Sequence, residues 1–214
     1  MNLKGLKVIV TSGPTREKID PVRYISNFSS GKQGHAIAKA LAEEGADVTL
    51  ISGPVSLKTP DNCKIINVES AQEMLNACLD CLPVDIAICA AAVSDWRLKD
   101  ISTNKIKKND NENNLQINLV KNPDILASIS QHESRPKLVV GFAAETENLI
   151  ENAKSKLKNK QCDLIIANLI SQDDNVFGSD ENKVFFIDSQ KTEELPKMNK
   201  NNIALHLCNK IKGL

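Results

Sequence analysis

The chain has 214 residues, of which 41% are hydrophobic, 25% charged and 3% aromatic; this is enough to bury an aliphatic core and excludes a disordered polymer. Lys plus Arg equals Asp plus Glu at 27 each, which excludes a general attraction for nucleic acid or an anionic membrane and makes any anion site local. No run approaches the roughly 18 apolar residues of a membrane span, and the short apolar N-terminal run containing Lys4 and Lys7 lacks a small-residue cleavage site, so a cytoplasmic protein is expected, with neither membrane nor nucleic acid as partner.

Residues 6–12 (LKVIVTS) predict a buried strand, 33–45 (QGHAIAKALAEEG) a helix stopped by Gly45, and 47–52 (DVTLIS) a second strand. Strand, glycine-bearing loop, helix and strand make a βαβ unit, which requires a parallel sheet with a right-handed crossover. The alternation continues with a short strand at 64–68, a helix over 71–82 and a very apolar strand at 85–93 (DIAICAAAV). Residues 100–114 are polar, rich in Asn and lysine-bearing, and read as a mobile loop, whereas 115–120 alternate as an exposed or antiparallel strand does. A helix near 124–130, a strand at 137–142, a helix at 147–160 and a strand at 163–167 follow. After a second polar loop at 172–182 come a strand at 184–188 and a closing helix over 191–212, broken around Pro196. The expected fold is a single α/β domain over 1–214, with a doubly wound, mostly parallel, Rossmann-like sheet.

The six cysteines (63, 78, 81, 89, 162, 208) are scattered through apolar segments. Cys78 and Cys81 form a lone CxxC inside a predicted helix, and neither they nor His35, His132 and His206 show metal-ligand spacing. The residues therefore assign no metal site.

In an open parallel sheet, ligands bind beyond the carboxyl ends of the strands, here the loops after Ser12, Ser52, Val93, Phe142 and Ala167. The first of these, 13–34, is long for a strand-to-helix connection and carries Ser29, Ser30, Gly31 and Gly34 near the helix start. It reads either as an anion cradle at the positive end of the helix or as a plain N-cap with a flexible lead. GxGxxG is absent and the second strand ends in Ser52-Gly53 without an acidic residue, which disfavours an NAD(P)-dependent oxidoreductase. Gly31-Lys32 is followed by Gln33 rather than Ser or Thr, so a P-loop is absent as well.

Ala90, Ala91 and Ala92 allow a flat base or ribose close to the backbone, with Asp95 as an acceptor. Lys105, Lys107 and Lys108 form either a solvated loop or a lid that closes on phosphates. Asn122 or Asp124 caps the next helix with Pro123 at its start, and Phe142 packs either on a base or in the core. Lys156 and Lys160, four apart, share a helix face and either reach phosphates or are surface charge.

Five segments, TSGPTREKIDPVRYISNFSSGKQG (11–34), AAVSDW with KIKK (91–96, 105–108), KNPDIL (121–126), GFAAET (141–146) and DLIIAN (163–168), stand in the order found in a known family. Along nearly its whole length the chain resembles the synthetase part of bacterial phosphopantothenoylcysteine synthetase. The resemblance implies a ligase of coenzyme A biosynthesis that uses CTP, with Mg2+ or Mn2+, to turn 4′-phosphopantothenate into an acyl-cytidylate and pyrophosphate. The amine of L-cysteine then displaces CMP.

By motif, the resemblance implies that Asn27 polarises the acyl intermediate and that Lys105, with Lys108 beside it, is the lid lysine. It implies nucleotide contacts from Cys89, Ala90, Ala91, Asp95, Pro123, Asp124, Ile125, Leu126, Phe142, Lys156 and Lys160, with Gly31 and Gly34 bounding the phosphate cradle. A homodimer is implied too, with 100–120 as lid loop and dimerisation strand in a small extension of the sheet. Many relatives are fused behind a flavin-dependent decarboxylase, so here that enzyme is expected as a separate protein or as a portion trimmed away, with no flavin in this chain.

Overall fold

The computed structural model describes residues 2–107, 114–170 and 180–214. β1 (Lys7–Ser12) leads into a short hairpin, β2 (Glu17–Asp20) and β3 (Arg23–Ile25), before α1 (Lys32–Glu43) returns the chain to β4 (Asp47–Ser52) and β5 (Cys63–Asn67). α2 (Ala71–Asp80) carries it back to β6 (Ile86–Cys89) on the other side of β1, followed by a small antiparallel ladder of β7 (Trp96–Leu98) and β8 (Leu119–Lys121). α3 (Ile125–Ser130), β9 (Leu138–Glu145), α4 (Leu149–Lys160) and β10 (Leu164–Leu169) extend the sheet in the same sense. β11 (Glu181–Asn182), β12 (Val184–Ile187), β13 (Thr192–Glu194), β14 (Met198–Asn199) and α5 (Lys200–Lys212) close the chain.

The main sheet has eight strands in the order β13-β12-β10-β9-β6-β1-β4-β5. The six strands from β5 to β10 pair in parallel, and β12 and β13 are antiparallel additions at one edge. Period-two alternation sends Val8, Val10, Ile86, Ile88, Leu138 and Val140 to one face, where α1 and α5 cover them, and Ile9, Ala87 and Val139 to the other, under α2, α3 and α4. Burial on both faces explains why these strands read as near-continuous aliphatic runs. Connections leave β1 in opposite directions, so the sheet reverses between β1 and β6, the place where the ends of two strands part to leave a crevice.

Four sequence expectations are corrected. The long first loop is not featureless: Glu17↔Ile25 and Lys18↔Tyr24 pair as a hairpin, too short to announce itself by periodicity. The strand expected over 85–93 ends at Cys89, because the chain leaves the ladder at the alanines and touches it again only through a bridge of Ala92 with Pro14. Of 115–120, only Leu119 and Val120 belong to a strand, antiparallel to β7 as anticipated. Helix does not begin at 191: residues 192–194 form the edge strand β13, and α5 starts past Pro196 at Lys200, where the Asn199 side chain accepts the Asn202 amide at 2.8 Å.

Candidate functional site

The crevice is built first from the junction of β1 and α1. The Ser12 hydroxyl, fully buried, donates to the Gly31 carbonyl at 2.9 Å and lies 2.9 Å from His35 Nδ1. This fits the Nδ1–H tautomer, an assignment made from the bonding network. Burial pushes His35 below the ordinary histidine value, so it is a neutral strut between strand and helix. Gly31 caps α1 at φ 75°, a left-handed conformation suited to glycine. Gly34 brings the helix so close that a Cβ there would lie 3.0 Å from Ser12 Cα and 2.5 Å from its Oγ. The first-turn N–H groups of α1, which have no carbonyl one turn earlier, open on the crevice beside Ser29 and Ser30.

The second wall is sewn to the first by buried hydroxyls. Thr11 Oγ1 accepts the Ala91 amide at 3.1 Å, Thr15 Oγ1 accepts the Ser94 amide at 3.0 Å, and the Ala92 amide donates to the Gly13 carbonyl at 2.9 Å. Asn27 stands against this wall. Its Oδ1 accepts the Ser29 amide at 3.1 Å and its Nδ2 donates to the Ala92 carbonyl. That network fixes which end of the amide is nitrogen and leaves the second N–H of Nδ2 as an additional donor.

Two cavities result, and they share Ala91, Val93, Asp95 and Phe142, so they are lobes of one cleft. The first, about 400 Å3, holds Asn27, Gly31, Gly34 and Ala90, together with Lys32 and Lys200. The second, about 520 Å3, holds Cys89, Pro123, Asp124, Ile125, Leu126, Lys156 and Lys160. Asp124 caps α3 by accepting the Ala127 amide at 2.9 Å and is ion-paired with Lys160, while Lys156 lies 3.6 Å from Glu145. Both lysines are thus held at the cleft by carboxylates, with Lys121 also in the lining. Burial pushes the Cys89 thiol up to about 12, so it offers the cleft a neutral surface and not a nucleophile.

Lys105 lies in neither lobe. It is exposed, but the next residue is anchored: the Ile106 amide donates to Asp20 at 3.1 Å and its carbonyl accepts Arg23 at 3.0 Å. The Arg23 guanidinium beside Asp20, helped by the Val22 and Ile106 amides and opposed by burial, holds that carboxyl well below the usual carboxylate range. The hairpin missed in the sequence therefore ties down the segment bearing Lys105. Lys108 falls outside the described residues. The loop after Ser52 does not line the cleft either; a Cβ on Gly53 would strike the Pro14 carbonyl, and Val55 backs Gly13 and Gly31 from behind.

Sequence reasoning missed Lys200 and Asn182 in the first lobe and Trp96 in the second; Asn168 opens the loop expected after Ala167, and Asn122, offered as a cap, instead lines the second lobe and donates to the Ser94 carbonyl at 2.8 Å. For Lys200 the signal was an N-cap asparagine before a helix; nothing local announced that this helix end meets α1.

Residues 3–214 match the family model described as DNA/pantothenate metabolism flavoprotein C-terminal domain. The coenzyme A biosynthesis bifunctional protein CoaBC of Haemophilus influenzae is 47% identical over 211 residues, which are 98% of this chain and 52% of that one. The chain thus spans about half the length of the curated relatives it matches. Among solved structures, the C-terminal domain of a CoaBC protein superposes with a TM-score of 0.81 at 36% identity, covering 98% of this chain and 96% of that one. The DNA/pantothenate metabolism flavoprotein from Streptococcus pneumoniae gives 0.83 at 26% identity, covering 98% and 99%. A match running from residue 3 to the last, over a sheet of the same design with its cleft at the switch point, means that the chain belongs to the family of the DNA/pantothenate metabolism flavoprotein C-terminal domain.

Proposed function

We propose that this chain is a ligase that joins 4′-phosphopantothenate to L-cysteine at the expense of CTP, in coenzyme A biosynthesis. The observation that carries the reading is the two-lobed cleft, which sets Asn27 and the α1 N-terminus in one lobe and a lysine-bearing, aromatic-walled nucleotide-sized lobe beside it. The relatives' shared name places them in the same biosynthesis. A nicotinamide dinucleotide is less well served, since β4 ends in Ser52 and its following loop stays out of the cleft.

In the first step a carboxylate oxygen of the acid attacks the α-phosphorus of CTP, forming a mixed anhydride as pyrophosphate leaves. In the second, the cysteine nitrogen attacks the acyl carbon, the amine loses a proton, and CMP departs. Negative charge collects on phosphate oxygens in the first step and on the acyl oxygen in the second. The α1 N-terminus, Lys156 and Lys160 suit the former, with Phe142 and the alanines against the base. The second N–H of Asn27 suits the latter. Lys105 needs a lid movement from its anchored segment to join them.

Among the described residues no cluster of three or more His, Cys, Asp or Glu is placed to hold a metal. Asp95, the carboxylate that lines both lobes, would be the residue to help hold Mg2+ or Mn2+ beside the phosphates. Such an ion supplies charge neutralisation on the phosphates.

Exposed Tyr24, Trp96, Ile101, Leu115, Ile117 and Leu119, on the β2–β3 hairpin and around the β7–β8 ladder, support residues 100–120 as lid and dimerisation segment of a homodimer. The word bifunctional in the relatives' names favours a decarboxylase fused in the same chain over a separate one. A cytoplasmic location goes with a reaction drawing on CTP and cysteine.

The test is pyrophosphate release from 4′-phosphopantothenate with CTP or ATP, with and without cysteine. Asn27→Ala is expected to lose roughly 10²–10³-fold in the overall reaction, mainly after anhydride formation. Lys105→Gln is expected to raise the KM for CTP. Parental turnover by both variants would remove these role assignments.

A further inference from the structure

We infer that Thr15 and Asn122 are positioning residues: from opposite sides they grip the Ser94–Asp95 peptide and so aim the Asp95 carboxylate at the nucleotide. The inference rests on the ligase reading above and adds two residues to it, neither of which carries charge or takes part in a bond that forms or breaks. Asp95 is the carboxylate that lines both lobes. It is exposed, and among the described residues its carboxylate has no hydrogen-bond or ion-pair partner. A side chain without tethers of its own follows its backbone, so whatever holds the turn decides where that charge stands.

The turn is held at three points. The Ser94 amide donates to Thr15 Oγ1 at 3.0 Å, the Ser94 carbonyl accepts Asn122 Nδ2 at 2.8 Å, and the Asp95 carbonyl accepts the Asn122 amide, also at 2.8 Å. A carbonyl can only accept, so the Asn122 side chain turns its NH2 group to Ser94. Directly after Asp95 the β7–β8 ladder begins, with Trp96 opposite Lys121, and Thr15 supplies the nearest anchor on the β6 side. Thr15 is fully buried and lines neither lobe, so its effect on a ligand must pass through another residue. Its backbone serves Asn27 as well: the Thr15 amide donates at 3.3 Å to the Ala92 carbonyl, the oxygen that also accepts Asn27 Nδ2, and the Thr15 carbonyl accepts the Ser26 hydroxyl at 2.7 Å. One buried threonine therefore registers the donor of the first lobe against the carboxylate shared by both. Asn122, in the lining of the second lobe, completes the grip from the side of α3.

The experiment measures CTP binding by titration calorimetry, and the KM for CTP in pyrophosphate release with 4′-phosphopantothenate. The proteins are the parent, Thr15→Val, Thr15→Ser, Asn122→Ala, Asp95→Asn, and the two doubles that add Asp95→Asn to Thr15→Val or to Asn122→Ala. Thr15→Val, which exchanges the hydroxyl for a methyl, should weaken CTP roughly 5- to 20-fold in both Kd and KM, as should Asn122→Ala, while Thr15→Ser stays near the parent. Asp95→Asn should lose roughly tenfold, and on that background neither further change should cost more than about twofold, because the charge being aimed is gone. A structural role alone would lower stability in urea and leave the factors multiplying. The inference is overturned if the factors multiply in the doubles, if Thr15→Ser is as impaired as Thr15→Val, or if both single variants bind CTP like the parent. Should Thr15→Val fail to fold, the Asn122→Ala cycle decides by itself. A parent that binds CTP but releases no pyrophosphate with the acid would sink the ligase reading, and the binding cycle would still judge the grip on Asp95.

Discussion

Replacing Gly34 with alanine tests whether the closeness of α1 to β1 shapes the cleft. In a helix interior, Gly→Ala ordinarily gains about 1 kcal/mol. Here the new Cβ would stand 2.5 Å from Ser12 Oγ, 2.6 Å from its Cβ and 3.0 Å from its Cα, so backbone must separate from backbone. Overpacking of that kind costs about 1–3 kcal/mol, and the Ser12 bonds to Gly31 and His35 are worth about 1 kcal/mol each if they break. The balance is a loss of roughly 1–4 kcal/mol, which for a chain of this size lowers Tm by on the order of 2–15 °C. The same shift moves the α1 N-terminus, so CTP-dependent pyrophosphate release should fall roughly 10²-fold. Gly213→Ala is the control: its Cβ meets nothing closer than 3.5 Å, and it should be neutral or slightly stabilising. Urea and thermal unfolding of both variants decide the matter. A Gly34→Ala protein as stable and as active as the parent would refute the argument.

Asp20 has a folded pKa below that of an unfolded aspartate, so its contribution is complete above about pH 4 and is lost as pH falls further. Asp20→Asn should accordingly flatten the acid limb of a stability–pH curve, and by loosening Ile106 should raise the KM for CTP. Burial raises the thiols of Cys89, Cys162 and Cys208 to about 12, 11 and 11. Iodoacetamide at pH 8 should therefore leave these three unmodified in the folded chain and label them in urea, with the half-exposed Cys63 and Cys81 reacting first. Because the unfolded chain releases thiol protons earlier, stability should also decline from roughly pH 8.5 upward. Finally, Ile117→Glu should shift sedimentation toward the monomer; an unchanged mass would argue against residues 100–120 as the dimer contact.

The strands of the sheet were legible because burial on both faces makes them aliphatic runs, as in β1, β4 and β9. The helices were legible from apolar spacing and from stops such as Gly45. The hairpin of β2 and β3 was not, since two strands of four and three residues leave no periodic trace. Nor was the start of α5, where an edge strand and a proline precede the helix and the three run together when read as one segment.

By itself the chain's order of residues determines the α/β class, the family motifs and much of the cleft: Asp95 stands in the loop beyond a strand, Lys156 and Lys160 share a helix face, and Asn27 follows only from the family motif, while Phe142, expected at a strand end, lies within β9. Only the tertiary structure decided that these residues meet in two joined lobes, that Lys105 rests outside them on a hairpin anchored by Asp20, and that Lys200 enters from more than 160 positions after Lys32. Local sequence governs torsions and periodicity, whereas convergence is set by how α1 and α5 pack on one face of the sheet, and no stretch of chain contains that information alone.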